Sequence, residues 1–540
     1  MRWKIAELSG VRQFKPAIAL AYVALIALFA WTIAEFYIPG KGFTALIVFG
    51  DKVAPISKVG HVDYFVERYS GGYDAQFYAQ IAMDPSLQNQ ALKRAVDSLA
   101  YRARRILFCA TAYAFGFGDP PRILQVYALQ NAFCWLGLAL LLLHWFPPVT
   151  WNNFLRWGGI LFSLGVCVSA RNALVDGPSL LLIVLGMLLL EKKRPWMATV
   201  VMAFAGLGKE TNLLAAAALI PDGKSDAKAW GRAILRGLLV AAPLALWLVY
   251  ISYQVGPATD VGIRNFDLPF AGYLRKWREI ADDWSNLSGE NYGPIFSVLM
   301  MLSLTVQFLY LVLRPQWTKA WWRIGASFAL LMVFLGQAVW EGYPGAASRV
   351  LLPMQMAFNV LVPLGRGWTA LLIAGNLTLL IAPSVLQPPA GEGYDLVGKG
   401  DLLGTPAGKS VLVAFSPEWY GSERNGANYW SWAPGTAALN IRNPHDVPLL
   451  IRLRFSLSSM GDRTVWVRLN GQEIWRVSLS DDNTVGASLS HLSLVPGVNR
   501  IEFATDAPSQ TLPPDTRHFA FCLHNLRIDL QDLDTGPPVK

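Results

Sequence analysis

Residues 16–38, PAIALAYVALIALFAWTIAEFYI, form an apolar run interrupted only by Glu35. The run is long enough to cross a hydrocarbon core of ~30 Å. Arg2, Lys4, Arg12 and Lys15 precede it, which predicts a cytoplasmic N-terminus. It is longer than the apolar core of a signal peptide and no clean small-residue cleavage site follows, so it reads as a retained anchor. Further apolar stretches lie near 122–146, 154–170, 177–190, 195–208, 210–220, 237–254, 293–314, 324–340, 349–364 and 367–386. A chain with this pattern is expected to be an α-helical, multi-pass membrane protein with about eleven crossings.

Whether the shorter apolar segment 106–118 also crosses decides the orientation of the loops that follow. If it lies on the outer surface, and 195–220 breaks at Gly208-Lys209-Glu210, then EKKRP at 191–195, Lys224 to Arg236 and Arg314 to Arg323 all face inward. That arrangement satisfies the positive-inside rule at every basic loop. It puts five polar stretches on the outer side: the 39–121 loop, RNALVDGP at 171–178, GKETN at 208–212, the 255–292 loop and EGYPGAASR at 341–349. Ionisable groups at the edges of apolar helices are costly and mark functional cavities.

Charge divides the chain. Only 15% of the 540 residues are charged and 53% are hydrophobic. Residues 387–540 carry 13 Lys+Arg against 16 Asp+Glu, so the formal +9 of the whole chain becomes +12 on the first 386 residues and −3 on the rest. A basic excess confined to the apolar part argues against nucleic-acid binding, which places Lys and Arg on a polar face. The four cysteines are far apart in sequence and form neither a disulfide framework nor a metal motif.

After Pro383 the period changes. VLVAF (411–415), AALNI (437–441), LLIRLRFSL (449–457), TVWVRL (464–469), EIWRVSL (473–479), RIEFA (500–504) and FAFCLHNLRI (519–528) read as strands, with Asn470-Gly471 as a hairpin turn. They predict an all-β, jelly-roll-like sandwich. The expected organisation is a membrane domain over 1–386 whose first outer loop is 39–121, a linker over 387–408, and an extracytoplasmic β-sandwich over 409–540. Trp419, Tyr429, Trp430 and Trp432 are candidates for a sugar platform, with core packing the commoner use of strand aromatics.

The first outer loop carries the chemistry. Asp74 stands among aromatics at the start of an amphipathic stretch, in YSGGYDAQFYAQIAMDP (69–85), where an acid near the bilayer surface is placed to deprotonate an acceptor hydroxyl. AYRARRIL (100–107) follows; Arg102, Arg104 and Arg105 offer planar, permanently charged donors suited to a phosphate. A basic patch touching anionic lipid headgroups is the plainer use of the same residues.

GYDAQFYAQIAMDP, YRARRIL, RNALVDGPSLLL, GKETNLL and AASRVLLPMQMAFNVL, in that order, resemble the bacterial integral-membrane glycosyltransferases of the GT-C superfamily. The pattern is similar to the lipid A aminoarabinose transferases and protein mannosyltransferases. The GPI mannosyltransferases share a comparable aromatic-Asp-x-x-x-Tyr element. The resemblance covers about residues 16–386; a weaker one links the tail to β-sandwich modules on such enzymes. It implies a polyprenyl-phosphate sugar donor, inversion at the anomeric carbon, and a glycan, lipid or protein acceptor outside the bacterial inner membrane. It makes Asp74 the catalytic base and assigns Arg102, Arg105, Lys209 and Arg349 to the donor phosphate. It gives Tyr73, Gln76, Tyr78, Arg171, Asn172, Asp176 and Glu210 to substrate. Glu210 is expected to pair with its neighbour Lys209, either within the site or as plain structure. No HxxH or DxD element demands a metal, although some branches use a divalent cation, so none is assigned. His61 and His144 read as loop and interfacial residues. Ala75 departs from the glycine that often follows the loop aspartate and narrows the room around Asp74. A transporter or flippase of a lipid-linked saccharide is the main alternative, since polar residues in spans also mark transport paths; the chain shows no second copy of its motifs, as an internal repeat would.

Overall fold

The computed structural model describes residues 16–38, 40–50, 55–67, 71–221, 226–256, 262–286, 292–342, 345–388, 411–416, 418–420, 423–425, 428–443, 445–481, 483–511 and 517–531. The basic residues before Pro16 and nearly all of the 387–408 linker fall outside that set. The chain divides into two compact units. One joins residues 1–36 to 77–388; the other joins 37–76 to 389–540. The segment 37–76, expected as the beginning of the membrane domain's outer loop, therefore groups with the C-terminal unit. It has a core of its own: Ala45, Leu46, Ile47, Phe49, Val59 and Phe65 are buried, and Thr44 Oγ1 accepts from the Phe65 amide at 2.9 Å.

The first unit is helical. Its main elements are α1 (Pro16–Ala34), α2 (Asp74–Ala82, which begins in the other unit's segment), α3 (Ile106–Phe115), α4 (Pro120–Leu142), α5 (Trp151–Leu161) and α6 (Leu164–Arg171). There follow α7 (Asp176–Glu191), α8 (Pro195–Gly208), α9 (Ala227–Gln254), α10 (Ala271–Asp282), α11 (Gly293–Leu313), α12 (Ala320–Phe334), α13 (Leu352–Leu361) and α14 (Arg366–Ala374). Side chains cap several of the starts: Asp119, Thr150, Ser163 and Asp226 each accept from an amide of the following turn.

Among the described residues four helices are long and apolar enough to cross a membrane: α1, α4, α9 and α11. Two bent pairs, α5 with α6 at 44° and α14 with Leu377–Val385 at 52°, raise that to six if each pair is one span. The eleven expected crossings are thus not eleven full-length helices. At 1.5 Å per residue, the 14 residues of α8 reach only about 21 Å. The stretch after Lys209 is a 3₁₀ turn series, Glu210–Leu219. Segment 106–118 yields a ten-residue helix, α3, well short of ~30 Å.

Polar side chains also tie the helices together. Arg156, 2% exposed, donates from α5 to the Val362 carbonyl at 2.8 Å, to the Pro363 carbonyl at 3.1 Å and to the Asn359 carbonyl. Asn359 and Asn376 exchange amide hydrogen bonds at 3.0 and 3.1 Å, and Gln355 donates to both Asn376 and the Gly159 carbonyl.

The C-terminal unit contains two five-stranded antiparallel sheets. The strands are β1 (Leu412–Phe415), β2 (Glu423–Asn425), β3 (Asn428–Ala433), β4 (Ala437–Asn443), β5 (Leu449–Ser459), β6 (Arg463–Leu469), β7 (Gln472–Leu479), β8 (Val485–Leu494), β9 (Gly497–Thr505) and β10 (Phe521–Gln531). The sheet orders are β8-β5-β10-β3-β2 and β1-β4-β9-β6-β7. From β3 onward, successive strands fall into the sheets in jelly-roll order. Alternating burial along β5 and β6 turns Ile451, Leu453, Leu457, Val465 and Val467 into one shared core with Ile501 and Phe503. Asn470 and Gly471 both have positive φ, 51° and 87°, which closes the β6–β7 hairpin with the twist its strands need.

Trp419 belongs to this core. It is 7% exposed, donates to the Ala438 carbonyl at 3.0 Å and packs edge-on against Phe415, Phe503 and Phe521, so it offers no platform to a sugar. Trp430 donates to Glu423 and Trp432 packs on Phe519; the Tyr429 side chain lies outside the described residues.

Candidate functional site: an ion cluster in the helical unit

The loop between α6 and α7 is fixed by two polar side chains. Asn131 on α4 donates to the Leu174 carbonyl at 2.8 Å, and Ser169 Oγ both donates to that carbonyl at 3.1 Å and accepts from the Gly177 amide at 2.8 Å. The result places Asp176 at the first position of α7, where the helix dipole favours an acid.

On the facing element α8 ends at Gly208. A Cβ there would sit 2.9 Å from the Phe108 ring and 3.0 Å from Ser179 Oγ, so only glycine permits the approach of α8 to α3 and α7. The next residue, Lys209, is extended (φ −161°, ψ 130°). Extended backbone sends consecutive side chains to opposite sides. Lys209 Nζ therefore reaches Asp176 Oδ1 at 2.5 Å, while Glu210 Oε2 accepts from Arg105 Nε at 3.0 Å. Lys209 and Glu210 make their direct salt bridges elsewhere, and what remains of the neighbour pair expected from the sequence is the electrostatic influence of Lys209 on Glu210. The extended conformation at the end of α8 directs each residue to a different partner.

Arg349, from the single turn Ala347–Val350, approaches Asp176 Oδ2 at 3.3 Å. Arg105 lies within electrostatic reach of both Asp176 and Lys209. Asp176, Lys209, Glu210, Arg105 and Arg349 thus make one cluster of three cations and two carboxylates. Burial deepens towards its centre: the side chains of Asp176 and Lys209 are 5% and 8% exposed, those of Arg105 and Glu210 15% and 24%.

Arg105 spends its other nitrogens on phenols. Nη1 donates to Tyr78 OH at 2.7 Å and Nη2 to Tyr101 OH at 3.0 Å; Tyr101 OH also accepts from Asn265 Nδ2 at 3.2 Å. Nothing in the sequence marks Tyr101 or Asn265 as part of this network, since an isolated Tyr and a loop Asn carry no signal. Arg102 is engaged differently from the expectation of a free phosphate ligand. Both arms of its fork meet Asp97, at 3.0 and 2.7 Å, and its guanidinium lies 5.2 Å from the Phe77 ring centre. Arg171 and Asn172 sit at the end of α6: Arg171 donates to the Gln387 carbonyl and stacks over Phe36, and Asn172 donates back to the Val168 carbonyl.

In the segment 37–76, the Tyr73 amide donates to the Val48 carbonyl, and the Gln76 side chain accepts from the Gly50 amide while donating to the Gly71 carbonyl. Gln76 is 1% exposed, so it shapes the loop ahead of α2. Gly72 has φ +72°, and a Cβ there would run into the Gln76 amide. Gly72→Ala is expected to lower stability by about 1–3 kcal/mol, read as an earlier thermal transition of the purified protein. Asp74 is the first residue of α2, and Tyr78, four residues on, is the phenol held by Arg105.

His61 Nδ1 faces the Ser57 carbonyl and His144 Nε2 faces Glu191. Among the described residues no three His, Cys, Asp or Glu side chains converge. Asp176 and Glu210 are already bonded to cations, a donor set that does not fit a divalent metal ion.

No protein-family model and no curated protein matches the sequence. Several solved chains are similar in part, among them the two that follow. Arabinosyltransferase EmbB from Mycobacterium smegmatis aligns over 93% of this chain and 64% of its own, at 11% identity and a TM-score of 0.30. The Podospora anserina GH26-CBM35 β-(1,4)-mannanase aligns over 24% of this chain and 27% of its own, at 13% identity and a TM-score of 0.15. The chain therefore spans just under two thirds of the first and about a quarter of the second. Both superpositions are too loose to bear on fold or chemistry.

Proposed function

We propose that the chain is a membrane glycosyltransferase of GT-C type. It moves a sugar from a polyprenyl-phosphate donor to an extracytoplasmic acceptor, with inversion. The observation that carries this reading is the buried ion cluster. Three cations held against two carboxylates, inside a bundle of apolar helices, leave the five groups at a formal +1. Charges in such surroundings are expensive and are kept for function. A lipid phosphate is the anion that a site at the end of apolar helices meets.

In the proposed reaction the acceptor hydroxyl attacks the anomeric carbon while Asp74 takes its proton. The bond from that carbon to the phosphate oxygen breaks, and the electron pair leaves with the polyprenyl phosphate. Arg105, the most accessible of the three cations save for its pairing with Glu210, meets the phosphate first; Arg349 and Lys209 supply charge behind it. Asp176 holds Lys209 and Arg349 in position, and Glu210 and Tyr78 aim Arg105. Arg102 stiffens the same wall through Asp97. Tyr73 and Gln76 shape the loop ahead of α2, and Arg171 and Asn172 the end of α6.

The test is transfer by the purified chain from a panel of polyprenyl-phosphate pentoses and hexoses. Product formation with inverted stereochemistry supports the reading. No transfer from any donor, together with movement of lipid-linked saccharide across vesicles, overturns it in favour of a flippase. Arg105→Lys keeps the charge but loses the fork that spans Glu210, Tyr78 and Tyr101. It is expected to lower kcat/KM for the donor about tenfold, with the acceptor KM unchanged.

A further inference from the structure

A second polar site lies in the same helical unit. Helix α10 and the turn Gln337–Trp340 border an open cleft of about 460 Å³, within the size range of small-ligand sites. Its walls are fixed in advance. Lys276, 1% exposed, donates to Glu279 at 2.7 Å and to the Gly342 carbonyl at 2.6 Å, riveting α10 to the chain beyond Trp340. At Gly272 a Cβ would collide with the Leu335 carbonyl, so glycine alone allows α10 to pack this tightly.

The lining is unusual in its balance: three cations and four carboxylates share it with the Gln337 amide. Much of that charge is already matched, Lys276 by Glu279, Arg275 by Asp267 and Glu341 by Arg264. A lipid tail would strand these groups without water, and a multiply anionic ligand would meet the excess of carboxylates. A neutral polyhydroxylated ligand suits both kinds of wall, since each hydroxyl donates to a carboxylate and accepts from a guanidinium.

The cavity is tied to the ion cluster twice. The Gly336 amide, at its edge, donates to the Asn265 carbonyl at 2.7 Å; the Asn265 side chain donates to Tyr101 OH, which also accepts from Arg105. The chain that forms its wall at Gln337–Trp340 runs on to Arg349. We infer that this cavity is the acceptor subsite and that it takes a neutral saccharide. The acceptor role rests on the glycosyltransferase reading; saccharide binding does not.

The experiment uses the full chain in detergent without donor. Short neutral pentose and hexose oligosaccharides are titrated and followed by saturation-transfer NMR. Wild type is expected to bind at least one, and Arg278→Ala and Asp283→Asn to weaken that binding about tenfold. In transfer assays the same variants should raise the acceptor KM and leave the donor KM unchanged. Wild-type binding by both variants, or tighter binding of a uronic-acid oligosaccharide than of any neutral one, overturns the inference. Saccharide binding lost in the variants, with no transfer from any lipid-linked donor by wild type, overturns the acceptor role and the glycosyltransferase reading while leaving the cavity as a saccharide site.

Discussion

Asp74→Asn is expected to lower kcat for sugar transfer by about 10²–10⁴-fold, the range a general base contributes. The substitution keeps the size of the side chain and removes only its capacity to accept a proton as a carboxylate. Asn also tolerates the first position of a helix, where Asp74 begins α2. The thermal transition and the donor KM should therefore stay close to wild type, and the loss should appear in kcat. A second readout separates a base from a mere loop former. Asp74→Glu, with a longer reach to the same chemistry, should recover part of the rate. A variant that turns over at the wild-type rate would remove Asp74 from the mechanism, and the search for the base would move to another acid.

The helical, apolar character of the first unit and the strand character of the second were legible because each rests on local periodicity. The stretch 122–146 becomes α4, 293–314 becomes α11, and the seven strands read from alternation all lie in the two sheets. What escaped was anything set by tertiary context. β8, VGASLSHLSL, is rich in Ser and carries a bulge at Leu489–Leu492, so its propensity reads as loop although pairing with β5 makes it a strand. At the site, Asp176, Lys209, Arg105 and Arg349 lie in polar stretches legible between apolar runs, while their roles came from the resemblance. Their partners were not legible. Lys209 has Glu210 beside it in sequence, yet it bonds to Asp176, 33 residues away, because the chain leaves α8 extended. Tyr101, which accepts from Arg105 and from Asn265, the latter 164 residues away, has no local mark at all.

Removal of the Asp176 carboxylate should cost more stability than any other single change in the cluster. Asp176 is the partner of both Lys209 and Arg349, at 2.5 and 3.3 Å, and its side chain is 5% exposed. Asp176→Ala leaves two cations in a buried site with no carboxylate between them, whereas Lys209→Met leaves Asp176 with Arg349. Breaking a buried pair by deleting one partner costs about 3–5 kcal/mol, most of it the desolvation of the charge left behind. Asp176→Ala is therefore expected at the top of that range and Lys209→Met below it, measured by denaturant unfolding in a fixed detergent. Because much of each loss is a stranded charge, the double variant should be less destabilised than the sum of the two singles. Raising phosphate concentration should stabilise Asp176→Ala more than wild type, since an anion that enters the cluster replaces the missing carboxylate. Strict additivity, or an Asp176→Ala cost within ~0.5 kcal/mol of zero, would show that these groups do not act as one buried cluster. The charge excess proposed to receive a lipid phosphate would then lose its physical basis.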